Sequence, residues 1–454
     1  MFQSNRSVAK ALLSIAALSL PAPAFAHPTG WVVRPEWVKA HEDFLASPAL
    51  QGRGSATRDE AIAAAYVGAQ FERLGLKMAP GMTAYTQVAR LVRPRLTGSP
   101  TLTAGGNPLN SLTFLFGAEY AISGYAVMRS ADPKDMPASE VVVVTDPSIP
   151  LRALLAAAEE KRVRLVIAPE SEATKQVFAS IGGKPRLRAY LEGNPPPPSP
   201  GLATLSPADI AILAAKATAP LKLSVPITLD VAETTNAIGY LPGSDAKAGN
   251  LLISAHLDHL GVVNGTIMPG ANDDASGTAA VIELAHALAS GKPTKRGILF
   301  VCYGSEEMGG FGSRYFGEHP PVPLTSIVAN LELEMIGSQD PKLPKGHLMM
   351  TGFERSNFGE ILKKNGALVS KDPYPEENFF RRSDNYSLAL KGIVAHTVSG
   401  WAVVPTYHQP TDTIANLNIE FMAKAIQSLI APLRSIANGG ETPKWRPGGR
   451  PSED

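Results

Sequence analysis

The sequence predicts an α/β protein built on a mainly parallel β-sheet that helices cover on both faces. From about residue 226, continuous apolar runs such as NLLISAH, GILFVCY and SIVANLELE alternate with helical stretches such as SGTAAVIELAHALAS. Strands that are apolar at nearly every position are buried on both faces, as in sheets whose crossover connections are helices. The chain has 454 residues, of which 44% are hydrophobic and 18% charged, a balance that supports a large core and further compact units.

The first 26 residues have the pattern of an export signal. Arg6 and Lys10 precede an apolar run at residues 11–20, and PAPAFA ends at Ala26 with the small-x-small pattern that signal peptidase recognises. The apolar run is well short of the roughly 20 residues needed to span a bilayer. We therefore expect a signal peptide at 1–26 that is cleaved rather than kept as an anchor, and a periplasmic or secreted mature protein without a stable membrane anchor.

The net charge argues against two classes of partner, and the cysteine count excludes an intrachain disulfide. The formal net charge is +1 and no long basic or acidic run occurs, which argues against nucleic acid or anionic membrane as a partner. Cys302 is the only cysteine, so no intrachain disulfide can form. Its place inside an apolar strand predicts a small buried hydrophobe rather than a nucleophile.

The N-terminal part of the main domain, at 27–125, begins with two predicted helices around a glycine-rich turn, the second from about 58 to 74. Short alternating segments such as TAYTQVARLV follow. At 126–220 the order SEVVVVTD, LRALLAAAEEKR, VRLVIAPE predicts a strand, a helix and a strand, and a proline run comes next. We interpret 126–220 as a small inserted lobe.

The segment 221–438 is the predicted main core, with alternating strands and helices that end in a helix from about 419 to 437. The remaining residues, 439–454, contain NGGETPKWRPGGRPSED and are predicted to be a disordered tail.

Acidic residues and histidines follow the predicted strands, and ligands of such sheets bind where the carboxyl ends of the strands meet. The residues at these ends or just ahead of the next helix are His256, Asp258, His259, Asp273, Asp274, Glu306, Glu307, Glu334 and His408.

Taken singly, each has an ordinary explanation. Asp273 or Asp274 can cap the following helix, the glutamates can be solvated strand ends or partners of an arginine, and a lone histidine is more often structural than a ligand. Together, so many carboxylates at one rim would repel one another unless cations neutralised them. Nitrogen and oxygen donors without thiolate favour zinc, with manganese or cobalt as alternatives.

The number of donors favours two ions over one. The economical assignment gives His256 and Glu334 to one ion and Glu307 and His408 to the other, with Asp273 as the bridge.

Two further carboxylates then have predicted roles. Asp258 receives the imidazole N–H of His256, and Glu306 acts as general base on the attacking water and passes the proton to a leaving amine.

The ordered motifs HLDH, DDASG, EE, a carboxylate before MIG, and YHQPTDT resemble those of the co-catalytic di-zinc aminopeptidases, a family that includes bacterial leucyl aminopeptidases and plasma glutamate carboxypeptidase. The resemblance implies a phosphorylase/hydrolase-like three-layer α/β sandwich with a central mixed sheet, two zinc ions, and removal of N-terminal residues from peptides with a free N-terminus. It implies the same roles for the ligands and for Glu306. The inserted lobe resembles, more weakly, a protease-associated domain.

Three positions depart from that family. Glu334 stands where many relatives have aspartate, Asn385 where relatives often have histidine, and Phe380 where some place an oxyanion-stabilising tyrosine. Arg382 and Tyr407 are then candidates for that donor, beside surface or structural roles.

Glutaminyl cyclase or carboxypeptidase activity on the same fold, or a non-catalytic binding ectodomain, are the competing functions. No Gly-x-Ser-x-Gly elbow occurs, which argues against a serine hydrolase.

Overall fold

The computed structural model describes residues 31–117, 124–195, 200–215 and 220–452. The predicted signal peptide at 1–26 lies outside these ranges. Within them, no helix combines the length and the apolar character needed to cross a bilayer.

The strands of the described chain are β1 (Thr86–Leu96), β2 (Thr101–Ala104), β3 (Asn107–Pro108), β4 (Thr113–Phe116), β5 (Ala126–Met128), β6 (Val141–Val144), β7 (Leu165–Pro169), β8 (Tyr190–Leu191), β9 (Gly201–Leu205), β10 (Leu221–Ser224), β11 (Ile227–Leu241), β12 (Asn250–His256), β13 (Gly261–Val263), β14 (Thr266–Met268), β15 (Gly297–Tyr303), β16 (Ile327–Glu334), β17 (Leu348–Met350), β18 (Val369–Lys371) and β19 (Ala395–Ser399). The α-helices in the same ranges are α1 (Pro35–Leu45), α2 (Arg58–Arg73), α3 (Leu151–Glu160), α4 (Glu172–Ser180), α5 (Pro207–Ala215), α6 (Ser276–Ala289), α7 (Phe311–Glu318), α8 (Phe358–Lys364), α9 (Asn385–Leu390) and α10 (Ile419–Ala437).

The central sheet has the strand order β18-β17-β19-β16-β12-β15-β11-β1-β8. Its middle strands β19, β16, β12 and β15 pair in parallel, and β11, β1 and β8 continue the sheet with antiparallel pairings. On the far side β17 is antiparallel to β19 and parallel to β18. The predicted α/β fold with a central mixed sheet is confirmed, and parallel pairing is concentrated in its middle.

The middle strands are almost entirely buried because helices cover the sheet. Every residue of β12 and β15 is buried. Helices α1, α6 and α10 pack together against the sheet, while Phe316 of α7 and Leu388 of α9 pack with Leu299 and Val301 of β15. A fully buried side chain of this kind contributes about 1.5–3 kcal/mol. The continuous hydrophobic runs therefore hold the strand ends, and the polar residues that follow them, in fixed positions.

The inserted lobe begins earlier than the predicted residue 126. Strands β1 and β11 pair along their whole length, from Thr86 opposite Ala237 to Leu96 opposite Ile227, and lead out to the lobe and back. Between them lie a five-stranded sheet, β4-β9-β7-β6-β5, and a three-stranded sheet, β10-β2-β3. The prediction missed β2 to β4 and β10 because short alternating segments do not reveal which sheet they join.

The predicted disordered tail at 439–454 is wrong for its described part. Trp445 packs against Phe380 and His396, with ring centroids 6.3 and 5.3 Å away. Arg446 Nη2 lies 2.7 Å from Glu360 Oε1. The segment is poor in apolar residues, but one half-buried indole ring and a few backbone hydrogen bonds are enough to order it against the core.

Candidate metal centre

The five predicted metal ligands come together at the carboxyl ends of the middle strands. His256 ends β12, Glu334 ends β16, and Glu307 follows β15 after a short loop. Asp273 precedes α6, and His408 lies in the loop between β19 and α10. Parallel pairing of β12 with β15 and β16 brings the first three together, and the loops carry the other two to the same edge.

The donors form two groups that share Asp273. In each group, one ligand atom per residue lies within 4.8 Å of all the others. The first donor group is His256, Asp273 and Glu334, and the second donor group is His259, Asp273, Glu307 and His408. Sequence analysis assigned no role to His259, although it is the second histidine of the HLDH motif.

Asp273 directs one oxygen toward each group. His256 Nε2 lies 3.3 Å from its Oδ1, and His408 Nε2 lies 3.2 Å from its Oδ2. His408 Nε2 is also 3.2 Å from Glu307 Oε2. Two donors with bonds of 2.0–2.1 Å to one tetrahedral ion lie about 3.3 Å apart, so these spacings fit zinc ligands.

Several of these atoms are buried without a hydrogen-bond partner among the described residues. They are His256 Nε2, His259 Nδ1, Asp273 Oδ2 and Glu307 Oε1. Buried polar atoms normally have partners, because leaving one unpaired costs about 1–3 kcal/mol. Imidazole nitrogens and carboxylate oxygens that converge without hydrogen bonding are the donors that divalent zinc prefers. The residues present therefore fit a metal pair.

The two aspartates of DDASG make different contacts, and Asp273 is the one that the sequence-based assignment made the bridge. Asp274 caps α6: its Oδ1 accepts hydrogen bonds from Gly277 N and from Met335 N, each at 2.9 Å. Asp273 faces the donor groups instead, and Asp412 holds its loop by accepting from Asn272 N at 2.8 Å and Asp273 N at 3.0 Å. The helix cap and the shared donor are thus neighbouring residues.

Residues 236–432 match the family model of Peptidase family M28. Over this segment the chain is similar to peptidase family M28. The match spans every residue of both donor groups. The resemblance that the motif order predicted is therefore confirmed at the level of the family.

Relatives and solved structures agree with the M28 match. The chain is 24% identical over 224 residues to aminopeptidase YwaD of Bacillus subtilis, covering 46% of each chain. It is 36% identical over 215 residues to leupeptin-inactivating enzyme 1 of Streptomyces exfoliatus, covering 42% of this chain and 47% of the relative. The chain thus spans about half the length of these relatives.

Two solved structures share the fold over nearly the whole chain. The aminopeptidase from Aneurinibacillus sp. strain AM-1 superposes with a TM-score of 0.57 and 19% identity, covering 93% of this chain and 98% of the other. BSAP, a zinc aminopeptidase from Bacillus subtilis, gives a TM-score of 0.54 with the same identity and coverage.

The Asp258 carboxylate does not accept the His256 imidazole N–H, contrary to the prediction. His256 Nδ1 bonds to the backbone oxygen of Asp258 at 3.2 Å, while the nearest carboxylate oxygen lies 3.8 Å away. The carboxylate is engaged elsewhere: it accepts from Ser55 Oγ at 2.5 Å, Glu306 N at 2.9 Å and Glu307 N at 3.4 Å. Asp258 therefore orients the loop of the two glutamates, and its backbone orients His256.

Two residues of the segment QGRGSATRDE brace the centre, and sequence analysis gave neither a role. The buried Arg53 guanidinium donates to Leu257 O, Pro269 O and Gly270 O, and so ties the loop of His256 to the loop of Asp273. Glu60, also buried, accepts from Ser305 N at 3.0 Å, next to Glu306. The signals that could have found them are an arginine between two glycines, for Arg53, and an acidic residue in the first turn of α2, for Glu60.

Left-handed backbone conformations occur beside three of the candidate ligand positions. Ser305, Met335 and His408 have φ values of 53°, 53° and 54°, in the left-handed region that favours glycine. Ser305 precedes the two glutamates, and Met335 follows Glu334. Such conformations cost about 1–3 kcal/mol and persist where surrounding contacts enforce them, as at functional sites.

Glu306 belongs to neither donor group and lies next to both. Desolvation raises the pKa of Glu306 well above its ordinary value. His256 opposes this shift in pKa, whereas Glu334 and Glu307 add to it. A carboxylate that takes up a proton readily and binds no metal is suited to proton transfer.

A small cleft lies beside Glu334. Its walls consist of Glu334, Met335, Met349, Thr351, Phe379, Arg382, Thr397, Ser399, Ala402 and Tyr407. The ring of Tyr407 stacks on His408 with centroids 3.9 Å apart. Desolvation raises the pKa of Tyr407, so its hydroxyl stays protonated.

Phe380 and Asn385, the other two positions that depart from the family pattern, have structural roles. Phe380 is buried and packs on Tyr386, away from the cleft wall. Asn385 is buried too, and its amide bonds to Phe380 O, Ala395 O and Thr397 Oγ1.

Proposed function

We propose that the protein is an exported, zinc-dependent aminopeptidase that removes N-terminal residues from peptides. The observation that carries the proposal is Asp273 shared between two donor groups, with Glu306 beside them and outside both. The M28 match and the aminopeptidases among the relatives support it. His256, Asp273 and Glu334 would hold one ion, and Asp273, Glu307 and His408 the other.

When bound, a pair of zinc ions supplies Lewis-acid polarisation of a carbonyl and lowers the pKa of water. The chain supplies the proton transfer. Glu306 accepts a proton from the attacking water at a carboxylate oxygen and delivers it to the amine that leaves as the C–N bond breaks. Tyr407, which keeps its O–H, is the donor in the cleft wall that we assign to the carbonyl oxygen in the transition state.

The charges around the centre favour an N-terminal ammonium over a C-terminal carboxylate. Asp384 belongs to neither donor group, and it is among the acids that raise the pKa of Glu306. Arg382 is the cationic side chain in the cleft wall, and its guanidinium lies 3.3 Å from Glu377 Oε2. An acidic surrounding attracts the free amine of a peptide, which supports an aminopeptidase rather than a carboxypeptidase.

The presence of two donor groups also favours an aminopeptidase over a glutaminyl cyclase or a binding ectodomain. Glutaminyl cyclases of this fold hold a single zinc ion, whereas an Asp273 shared between two donor groups supports two ions. A binding ectodomain would need none of these donors, and all of them are present.

The test compares wild type with Glu306→Gln. We expect wild type to cleave aminoacyl chromogenic substrates, to spare N-acylated and C-terminal reporter substrates, and to lose activity with a chelator. Glu306→Gln should lose at least about 100-fold in kcat because its amide cannot accept the proton. It should keep about two zinc ions per chain by elemental analysis.

Glu159→Gln is the matched control, because Glu159 lies exposed on α3 in the lobe, and it should match wild type. Activity retained in Glu306→Gln would refute the role of Glu306. A wild type that binds one zinc ion and cyclises N-terminal glutamine would favour the cyclase instead. Mass measurement of the exported protein tests cleavage after Ala26.

A further inference from the structure

We propose that His259 is a fourth protein ligand of the ion in the second donor group, beside Asp273, Glu307 and His408. This inference rests on the metal-dependent function proposed above. It extends the five ligands that the motif order predicts to six.

The position of the imidazole fits coordination. His259 Nδ1 lies 2.9 Å from Glu307 Oε1 and 3.7 Å from Asp273 Oδ2. These values lie on either side of the separation of about 3.3 Å expected for two donors of one tetrahedral zinc ion. The ring of His408 lies edge-on to that of His259, with centroids 5.6 Å apart at 74°. Two imidazoles thus present nitrogens to the same pair of carboxylates.

The same contact is not a well-aligned hydrogen bond. At 2.9 Å the pair is close enough for one, yet His259 Nδ1 and Glu307 Oε1 are both buried without a geometrically satisfied hydrogen bond among the described residues. The buried His396 of this chain shows the contrast. Its Nε2 bonds to Ser356 Oγ at 2.7 Å and its Nδ1 to Thr351 O at 2.8 Å. Both ring nitrogens of the structural His396 form hydrogen bonds, whereas neither ring nitrogen of His259 has a satisfied hydrogen bond among the described residues.

The backbone and a glycine hold the His259 ring in place. Its N donates to Arg53 O at 3.0 Å, and His259 forms a β-bridge with Gly54. Gly270 has a φ of 59°, and a Cβ there would lie 2.5 Å from Cγ of the His259 ring. The ring is therefore oriented by packing before any ion binds, which is the arrangement expected of a preformed ligand.

The two groups then differ in the number of protein donors. The first donor group offers His256, Glu334 and Asp273, while the second has four members once His259 is included. Four protein donors complete a tetrahedral shell, whereas three leave a position open. We therefore expect the second ion to bind more tightly and to leave last when a chelator is added.

The test uses full-length protein loaded with Co²⁺, whose visible absorption reports ligand number and geometry. His259→Ala should bind the tighter ion at least about 100-fold more weakly, because changes outside the ligand shell already cost 10–100-fold. Its cobalt spectrum should change, and added imidazole should restore both readouts. His396→Asn, which alters a buried histidine away from the centre, should keep the wild-type spectrum and affinity.

Wild-type protein gives a second measurement that needs no variant. Proton NMR of the Co²⁺ form should show three shifted exchangeable imidazole N–H signals, from His256, His259 and His408. Two signals, or an unchanged spectrum and affinity in His259→Ala, would overturn the inference while leaving the proposed function intact. A wild type that binds no metal would instead overturn the proposed function.

Discussion

Replacing Arg53 by methionine should destabilise both the fold and the metal centre. The guanidinium is fully buried and donates four hydrogen bonds to backbone oxygens, at 2.8 Å to Leu257, 2.6 Å to Leu45, 2.8 Å to Pro269 and 2.7 Å to Gly270. Methionine fills a similar volume and donates none. Gly270 O also accepts from Ala275 N, so three acceptors are left unpaired. At about 1–3 kcal/mol for each of them, the expected loss is at least about 3 kcal/mol, a large part of the 5–15 kcal/mol typical of a domain.

The buried charge itself is not the source of this loss. Glu42 is the first of the acids that support the charged form of Arg53, and burial raises the pKa of Glu42 well above its ordinary value. Glu42 can therefore take up a proton when the guanidinium is removed, whereas the backbone oxygens cannot be neutralised. Arg53→Lys keeps three donors and should lose less than Arg53→Met.

The assay is urea unfolding with and without zinc, together with zinc titration against a competing chelator. Because Leu257 adjoins His256 and Gly270 precedes Asp273, both variants should also bind zinc about 10–100-fold more weakly. Arg58→Met, at a side chain that is 85% exposed, should change stability by no more than about 0.5 kcal/mol. A loss under 1 kcal/mol in Arg53→Met, with unchanged zinc affinity, would refute the bracing role.

Two further predictions concern residues outside the donor groups. Asp412→Asn replaces one of the two oxygens that hold the Asn272 and Asp273 amides, so zinc affinity should fall about 10–100-fold by chelator competition, and an unchanged affinity would count against this role. Burial lowers the pKa of His396 from 6.5 to about 4, so the folded state excludes a proton that the unfolded chain binds. Its contribution to stability is complete above pH 6.5 and falls toward pH 4, by about 2 kcal/mol at pH 5. In chelator-treated protein the stability gap between wild type and His396→Asn should narrow by that amount from pH 8 to 5, and a constant gap would contradict it.

Much of the candidate site could be predicted, because apolar runs mark the buried strands and the ends of parallel strands meet at one edge of the sheet. A run such as GILFVCY has one stable environment, a strand buried on both faces, and its end must then meet the ends of its parallel neighbours. That argument placed His256, Glu307 and Glu334 at one edge. The final helix was predicted to run from about 419 to 437, and α10 spans Ile419–Ala437, because its apolar period is unbroken.

Other features depend on contacts between residues far apart in the chain. Asp258 accepts from Ser55 and Glu306, which lie 203 and 48 positions away, so its sequence spacing from His256 was a poor guide to its partner. The lobe boundary depended on β2 pairing with β10 across more than a hundred residues. The tail depended on a pocket for Trp445 that only the folded core provides.

The α/β class, the edge of the sheet that carries the candidate site, and five of its candidate donors, Asp273 among them, could be predicted from the chain alone, because burial and the alternation of elements are local properties. Other features emerge only in the folded protein: Asp274 accepts from Gly277 N at the start of α6, Arg53 joins two ligand loops, and His259 enters the second donor group. Those features depend on which direction a side chain points, and direction is set by packing against distant residues.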